Sequence, residues 1–142
     1  WTEQQRNDTG ESEGVTMAQA IAIEIPRETW KEYFGELGKI YWGWAVTVEL
    51  LLGELGDQRR IDNLPLQGLS YDPEGSQAGD VMIEAGEANL PYEVHLVHKP
   101  RAVRASTSQP GGEIDLEIES DEGEISVVRI RRRPELPPAG SR

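Results

Sequence analysis

The apolar residues of this chain change their period once. Trp30, Tyr33, Phe34, Leu37 and Tyr41 fall at i, i+3, i+4, i+7 and i+11, the spacing of one helical stripe, with Lys31, Glu32, Glu36 and Lys39 on the other side. From Trp44 the period is two: Trp44, Val46, Val48 and Leu50 alternate with Ala45, Thr47, Glu49 and Leu51. Short runs bounded by Gly, Pro, Asp or Asn follow at 64–71, 81–85, 92–98, 102–105, 114–119 and 124–130. Connections this short favour antiparallel neighbours over parallel crossovers. The pattern predicts an α+β domain: an N-terminal amphipathic helix packed on, or capping, a bent antiparallel sheet of about six strands that is able to close as a small barrel.

Local signals place the elements. Pro26 has the fixed φ suited to a first helical turn, and Glu28 sits where the helix dipole favours an acid. Gly35 and Gly38 weaken the helix and Gly43 is expected to end it, so the helix needs a sheet to lean on. Ile114, Leu116 and Ile118 alternate with acids, 120–123 supplies turn residues, and Ile125 and Val127 resume: a hairpin. Pro65 and Pro100 belong at strand ends, edges or bends, because neither can donate to a ladder.

The 142 residues give room for one domain. Residues 1–16 are polar apart from Trp1 and Val15 and read as a disordered tail; Met17 opens the first apolar segment and is expected to be the natural start. The domain is expected over 17–130, and 131–142, with Arg131, Arg132 and Arg133 ahead of three prolines, reads as a basic, Pro-rich tail. With 26 acidic against 14 basic residues the net charge is -12. No stretch reaches the ~20 apolar residues of a membrane helix and no signal-type start is present, so a cytoplasmic protein without membrane attachment is expected. The absence of cysteine removes disulfides, thiolate metal sites and Cys nucleophiles, and suits a reducing compartment.

A helix followed by short antiparallel strands resembles the small barrels of the Sm-like and SH3-like kind, and Gly68 between Leu66 and Leu69 is similar to the sharply curved second strand of such barrels. The Sm family's RNA-contact motifs are not present. Four segments resemble a family of short bacterial proteins of unknown function over roughly 25–130: IPRETWKEYFGEL (25–37), GWAVTVEL (43–50), LPLQGLSYDPE (64–74) and HLVHKPRAVR (95–104). That resemblance implies common ancestry and a shared fold, with no activity to carry over.

The catalytic inventory is thin. His95 and His98 are the only histidines, and three residues apart on a strand they point to opposite faces, which works against a shared metal. Asp72, Glu74 and Asp80 flank a Gly-containing loop that carboxylates could wrap around calcium, but 72–75 reads equally well as a Pro-containing turn. Glu113, Asp115, Glu117 and Glu119 share one strand face, the pattern of a solvated side. Cysteine nucleophiles, GxSxG, Walker and HExxH motifs are all missing. No catalytic, cofactor-binding or metal-ligating residue is assigned, and no cofactor is expected.

The rings of Trp30, Tyr33, Phe34, Tyr41 and Trp44 are explained by core packing, whereas Trp42 departs from the stripe. Arg101, Arg104, Arg129, Arg131, Arg132 and Arg133 form the one basic group, against a balance of 21 acids to 8 bases over 17–128 that repels phosphate. The expected function is a non-catalytic binding or adaptor module, acting on a protein partner or by self-association, with Trp42, Tyr71, Tyr92, Arg129 and Arg131 as candidate contacts. A second reading is a small-molecule binder or hydrolase built on His95 or His98 with Glu93 or Asp72, which requires a concave pocket at a histidine. A third, a nucleic-acid-binding barrel, requires the arginines to gather on one face rather than pair with Glu117 and Glu119.

Overall fold

The computed structural model describes residues 22–74, 79–87, 92–107 and 112–133. The expectations for 1–16, for Met17 and for 134–142 lie outside these residues. After the short strand β1 (Ala22–Glu24), a 3-10 turn at Arg27–Thr29 enters helix α1 (Trp30–Ile40). Seven further strands follow: β2 (Ala45–Leu51), β3 (Asp57–Asp72), β4 (Asp80–Ala85), β5 (Glu93–His98), β6 (Pro100–Thr107), β7 (Ile114–Ser120) and β8 (Ile125–Arg131). They form one antiparallel sheet in the order β1-β6-β7-β8-β2-β3-β4-β5.

The expectation of about six strands and of possible closure is corrected on both points. Among the described residues eight strands are present, and the sheet they form is open, with β1 and β5 as its edges. β1 has three residues, too few to show an alternation, and the polar start of β3 (Asp57, Gln58, Arg59, Arg60) hides its first half. β3 is the corner of the fold. Its first half pairs with β2 and its second with β4; near the junction Asn63 takes φ 57°, and the register against β2 slips by one residue on either side of Val48, the signature of bulges. Pro65 follows these bulges, so it stands at a bend as its missing donor requires. The expected curvature at Gly68 is present as a further register slip, against β4; a Cβ there would lie 2.6 Å from Glu84 Oε1, so glycine lets the Glu84 side chain lie across the strand.

Helix α1 buries Trp30, Phe34 and Leu37 against β3, while Pro26 precedes the 3-10 turn rather than the α-helix itself. Gly38 faces the β3 backbone, where an added Cβ would sit 3.2 Å from the Leu69 carbonyl oxygen. The glycine that lowers helix propensity thus allows the close approach that anchors the helix. Trp30 donates its indole N–H to the Ile25 carbonyl at 2.8 Å and meets Tyr71 edge-on at 5.2 Å. The core is continuous from these rings through Val46, Ile83, Leu116, Ile118, Val128 and Ile130 on the inner face of the sheet.

A second corner lies at Lys99, the one residue between β5 and β6, with φ 50°. Its N–H donates to the Gly79 carbonyl at 3.1 Å and its carbonyl accepts the Asp121 N–H at 2.9 Å. The chain therefore leaves the edge strand β5, turns, and re-enters the sheet as β6, with the β7–β8 turn held beside the corner.

Candidate edge-strand binding groove

Among the described residues β5 pairs with β4 alone, and no described strand lies along its other side. Its inward positions, His95 and Val97, are buried. On the outward face Val94 and Leu96 are 49% and 43% exposed, and Tyr92, just before the strand, is 59% exposed. Edge strands of soluble proteins are commonly blunted by lysine, proline, bulges or brevity. β1, the opposite edge, is blunted by its three-residue length. β5 has six residues and no such device within it.

Between β5 and the β7–β8 turn runs a groove of about 580 Å³, within the size range of ligand-binding clefts. β5 contributes Val94 to His98, and the turn contributes Ser120, Asp121, Glu122 and Glu124. Leu50 and Arg60 come from β2 and β3, and Ser126 from the start of β8. His95 Nε2 and Ser126 Oγ share a hydrogen bond of 2.9 Å. Burial, with Arg60 nearby, pushes the His95 imidazole down to about 4, so it is neutral at pH 7.

A histidine beside a serine at a groove raises the hydrolase reading, and the concave pocket that reading requires is present. The chemistry of the pair does not match it. Ser126 is 2% exposed, too enclosed to present a nucleophile to a substrate. The charged neighbour acting on His95 is a cation, Arg60, where a triad places a carboxylate to stabilise the imidazolium. The bond instead ties the edge strand to β8.

The other members of that candidate set are dispersed. His98 is exposed, with Nδ1 3.1 Å from Asp80 Oδ1. Asp72 accepts the Glu74 N–H at 3.0 Å in a local turn, and Glu93 stands at the far end of β5 from His98. Asp72, Asp80 and His98 are register partners across β3, β4 and β5, so the calcium candidates Asp72 and Asp80 lie on one row, with Asp80 engaged by the imidazole.

The arginines pair off across the outward face of the sheet. Arg101 and Arg104 on β6 bind Glu119, and Arg104 also binds Glu117, on β7. Arg131 on β8 contacts Asp115 at 2.8 Å, and Arg129 joins Glu49 at 2.7 Å. Glu49 also holds Arg59 at 3.0 Å, so one carboxylate links β8, β2 and β3. These two guanidinium groups hold the Glu49 carboxyl below the usual carboxylate range. Arg132 lies over the Trp44 ring at 4.6 Å. This arrangement is the pairing alternative to a phosphate-binding patch.

Among the adaptor candidates, Tyr71 belongs to the core, while Arg129 and Arg131 serve the cross-strand pairs. Trp42 is 62% exposed in the turn after α1. Gly43 beside it donates to the Leu66 carbonyl, Leu66 is in register with Ala85, and Ala85 with Glu93. Trp42 and Tyr92 therefore stand at the same end of the sheet, about three strand spacings or ~15 Å apart. Val94 and Leu96 carry no chemical group that marks them in the sequence. The signal is present in EVHLVH, where Val94 and Leu96 alternate with Val97 on the opposite face, an apolar supply on both sides of one strand.

Comparison with known proteins gives kinship without an activity. The chain is 32% identical over 114 residues to an uncharacterized protein of Aquifex aeolicus (strain VF5), covering 80% of this chain and 95% of that one. No solved structure matches. A family profile described as a family of unknown function, DUF5335, matches residues 21–139. The family resemblance read from the four segments is thus established: the chain belongs to the DUF5335 family of unknown function.

Proposed function

We propose that this protein is a non-catalytic binding module that recognises another protein through the open edge of β5, in the reducing cytoplasm that its cysteine-free composition suits. The observation that carries this reading is the outward row Tyr92, Val94 and Leu96 on a strand that stands at the edge of the sheet among the described residues. Single exposed apolar residues are ordinary, but three at alternate positions beside unpaired backbone groups form a template for strand addition. The His95–Ser126 pair supports the same reading, because Ser126 is too enclosed to act as a nucleophile and the charged group acting on His95 is a cation.

The test is recovery of partners from source cells with tagged wild type, Leu96→Lys and Trp42→Ala. The proposal expects a reproducible partner that Leu96→Lys loses and Trp42→Ala keeps. Recovery unaffected by Leu96→Lys, in a protein with wild-type circular dichroism, would contradict it.

A further inference from the structure

The groove differs from the outward sheet face in how its charges are arranged. On the outward sheet face Glu49, Asp115, Glu117 and Glu119 each have an arginine partner. Along the groove, Asp121, Glu122 and Glu124 have no ion-pair partner among the described residues. Arg60 and Lys99 share the groove, which leaves three carboxylates to two cations around a neutral His95, within a chain of net charge -12.

We infer that the occupant of this groove is an extended, basic peptide segment of another protein, added as a ninth strand alongside β5, with apolar side chains on Val94 and Leu96 and lysine or arginine facing Glu122 and Glu124. The inference rests on the binding reading above and gives the partner its chemistry. The free backbone of β5 supplies the hydrogen-bonding template, and alternating side chains of an added strand fall alternately toward and away from the apolar row. The unpaired carboxylates supply charge complementarity, and the field of the whole chain steers a basic segment inward. A second copy of this chain is the poorer occupant. It brings its own charge of -12, and its β5 is walled by its own β7–β8 turn, whereas an isolated strand needs to bring no such wall.

The probe is a short fluorescent peptide of alternating lysine and valine, compared by anisotropy with the same peptide carrying glutamate for lysine. Wild type is expected to bind the lysine peptide at least about tenfold tighter, with the preference weakening as salt rises. Glu122→Lys combined with Glu124→Lys, both on an exposed turn, is expected to invert the preference, and amide exchange is expected to slow across 93–98 on binding. Equal binding of the two peptides, binding of neither, or protection elsewhere than β5 would overturn the inference. If the peptides fail while partner recovery still depends on Leu96, the basic-strand inference falls and the binding reading stands; if recovery ignores Leu96, both fall.

Discussion

His95 on β5 is joined to Ser126 on β8 by a 2.9 Å hydrogen bond, although β5 and β8 lie four strands apart in the sheet. The bond shows how far the sheet curls, because the edge strand has come round to stand over the inner start of β8. It also holds β5 in place from its inner face, on the side away from Val94 and Leu96.

The neutral, buried His95 makes stability depend on pH. Its folded value of about 4 lies below the ordinary 6.5, so between the two the unfolded chain binds a proton that the folded chain does not, and stability falls as pH falls through that window. The full effect is on the order of 3 kcal/mol. In denaturant titrations at pH 7.5 and 4.5, His95→Gln is expected to lose less stability on acidification than wild type. Equal losses would count against a buried neutral imidazole. Ser126→Ala, which strips His95 of its partner, should destabilise at pH 7.5 by about 1–3 kcal/mol.

How much of this was legible in the sequence depends on which interactions made each part. The helix stripe and the β7–β8 hairpin are local patterns, and both appear where the spacing of Trp30, Phe34 and Leu37 and of Ile114, Leu116 and Ile118 puts them. β1 was not legible, because three residues carry no period and their pairing with Arg104, Ala105 and Ser106 is long-range. The corner in β3 was legible only as Pro65 and Gly68, without the polar half that precedes them. The groove was half legible. His95 and His98 were marked by their chemistry, but Ser126, Arg60 and Glu124 reach the groove through the curl of the sheet, which no spacing encodes.

The two helix glycines should respond oppositely to alanine. Nothing lies within 4 Å of a Cβ at Gly35, so Gly35→Ala is expected to stabilise by about 0.5–1 kcal/mol through helix propensity. At Gly38 the same methyl meets the Leu69 carbonyl oxygen at 3.2 Å, and the close contact with β3 offsets that gain. Thermal melts should place Gly35→Ala above wild type and Gly38→Ala below it; the reverse order would mean that α1 does not press on β3.

Glu49 is the junction of the outward ion pairs. Glu49→Gln removes a carboxylate shared by Arg59 and Arg129, and its Tm at pH 7 should drop below wild type, with the gap closing in molar salt as screening removes the attraction. Because the folded carboxyl is held low, its contribution is present above the ordinary carboxylate range and is lost as pH falls through the lowered value. The wild-type and Glu49→Gln melting curves should therefore converge in acid. A gap independent of both salt and pH would show that the side chain matters for packing alone.

If β5 is the surface that meets a partner protein, as proposed, a reactive group on its outer face will be captured by that partner. Site-specific photo-crosslinking in source cells tests this most directly, with benzoylphenylalanine placed at Leu96 on the edge strand and, separately, at Ile40, an exposed apolar site on α1. A discrete adduct from position 96 and none from position 40 is the predicted result. Adducts of the same kind from both positions, or none from position 96 in a folded protein, would contradict it.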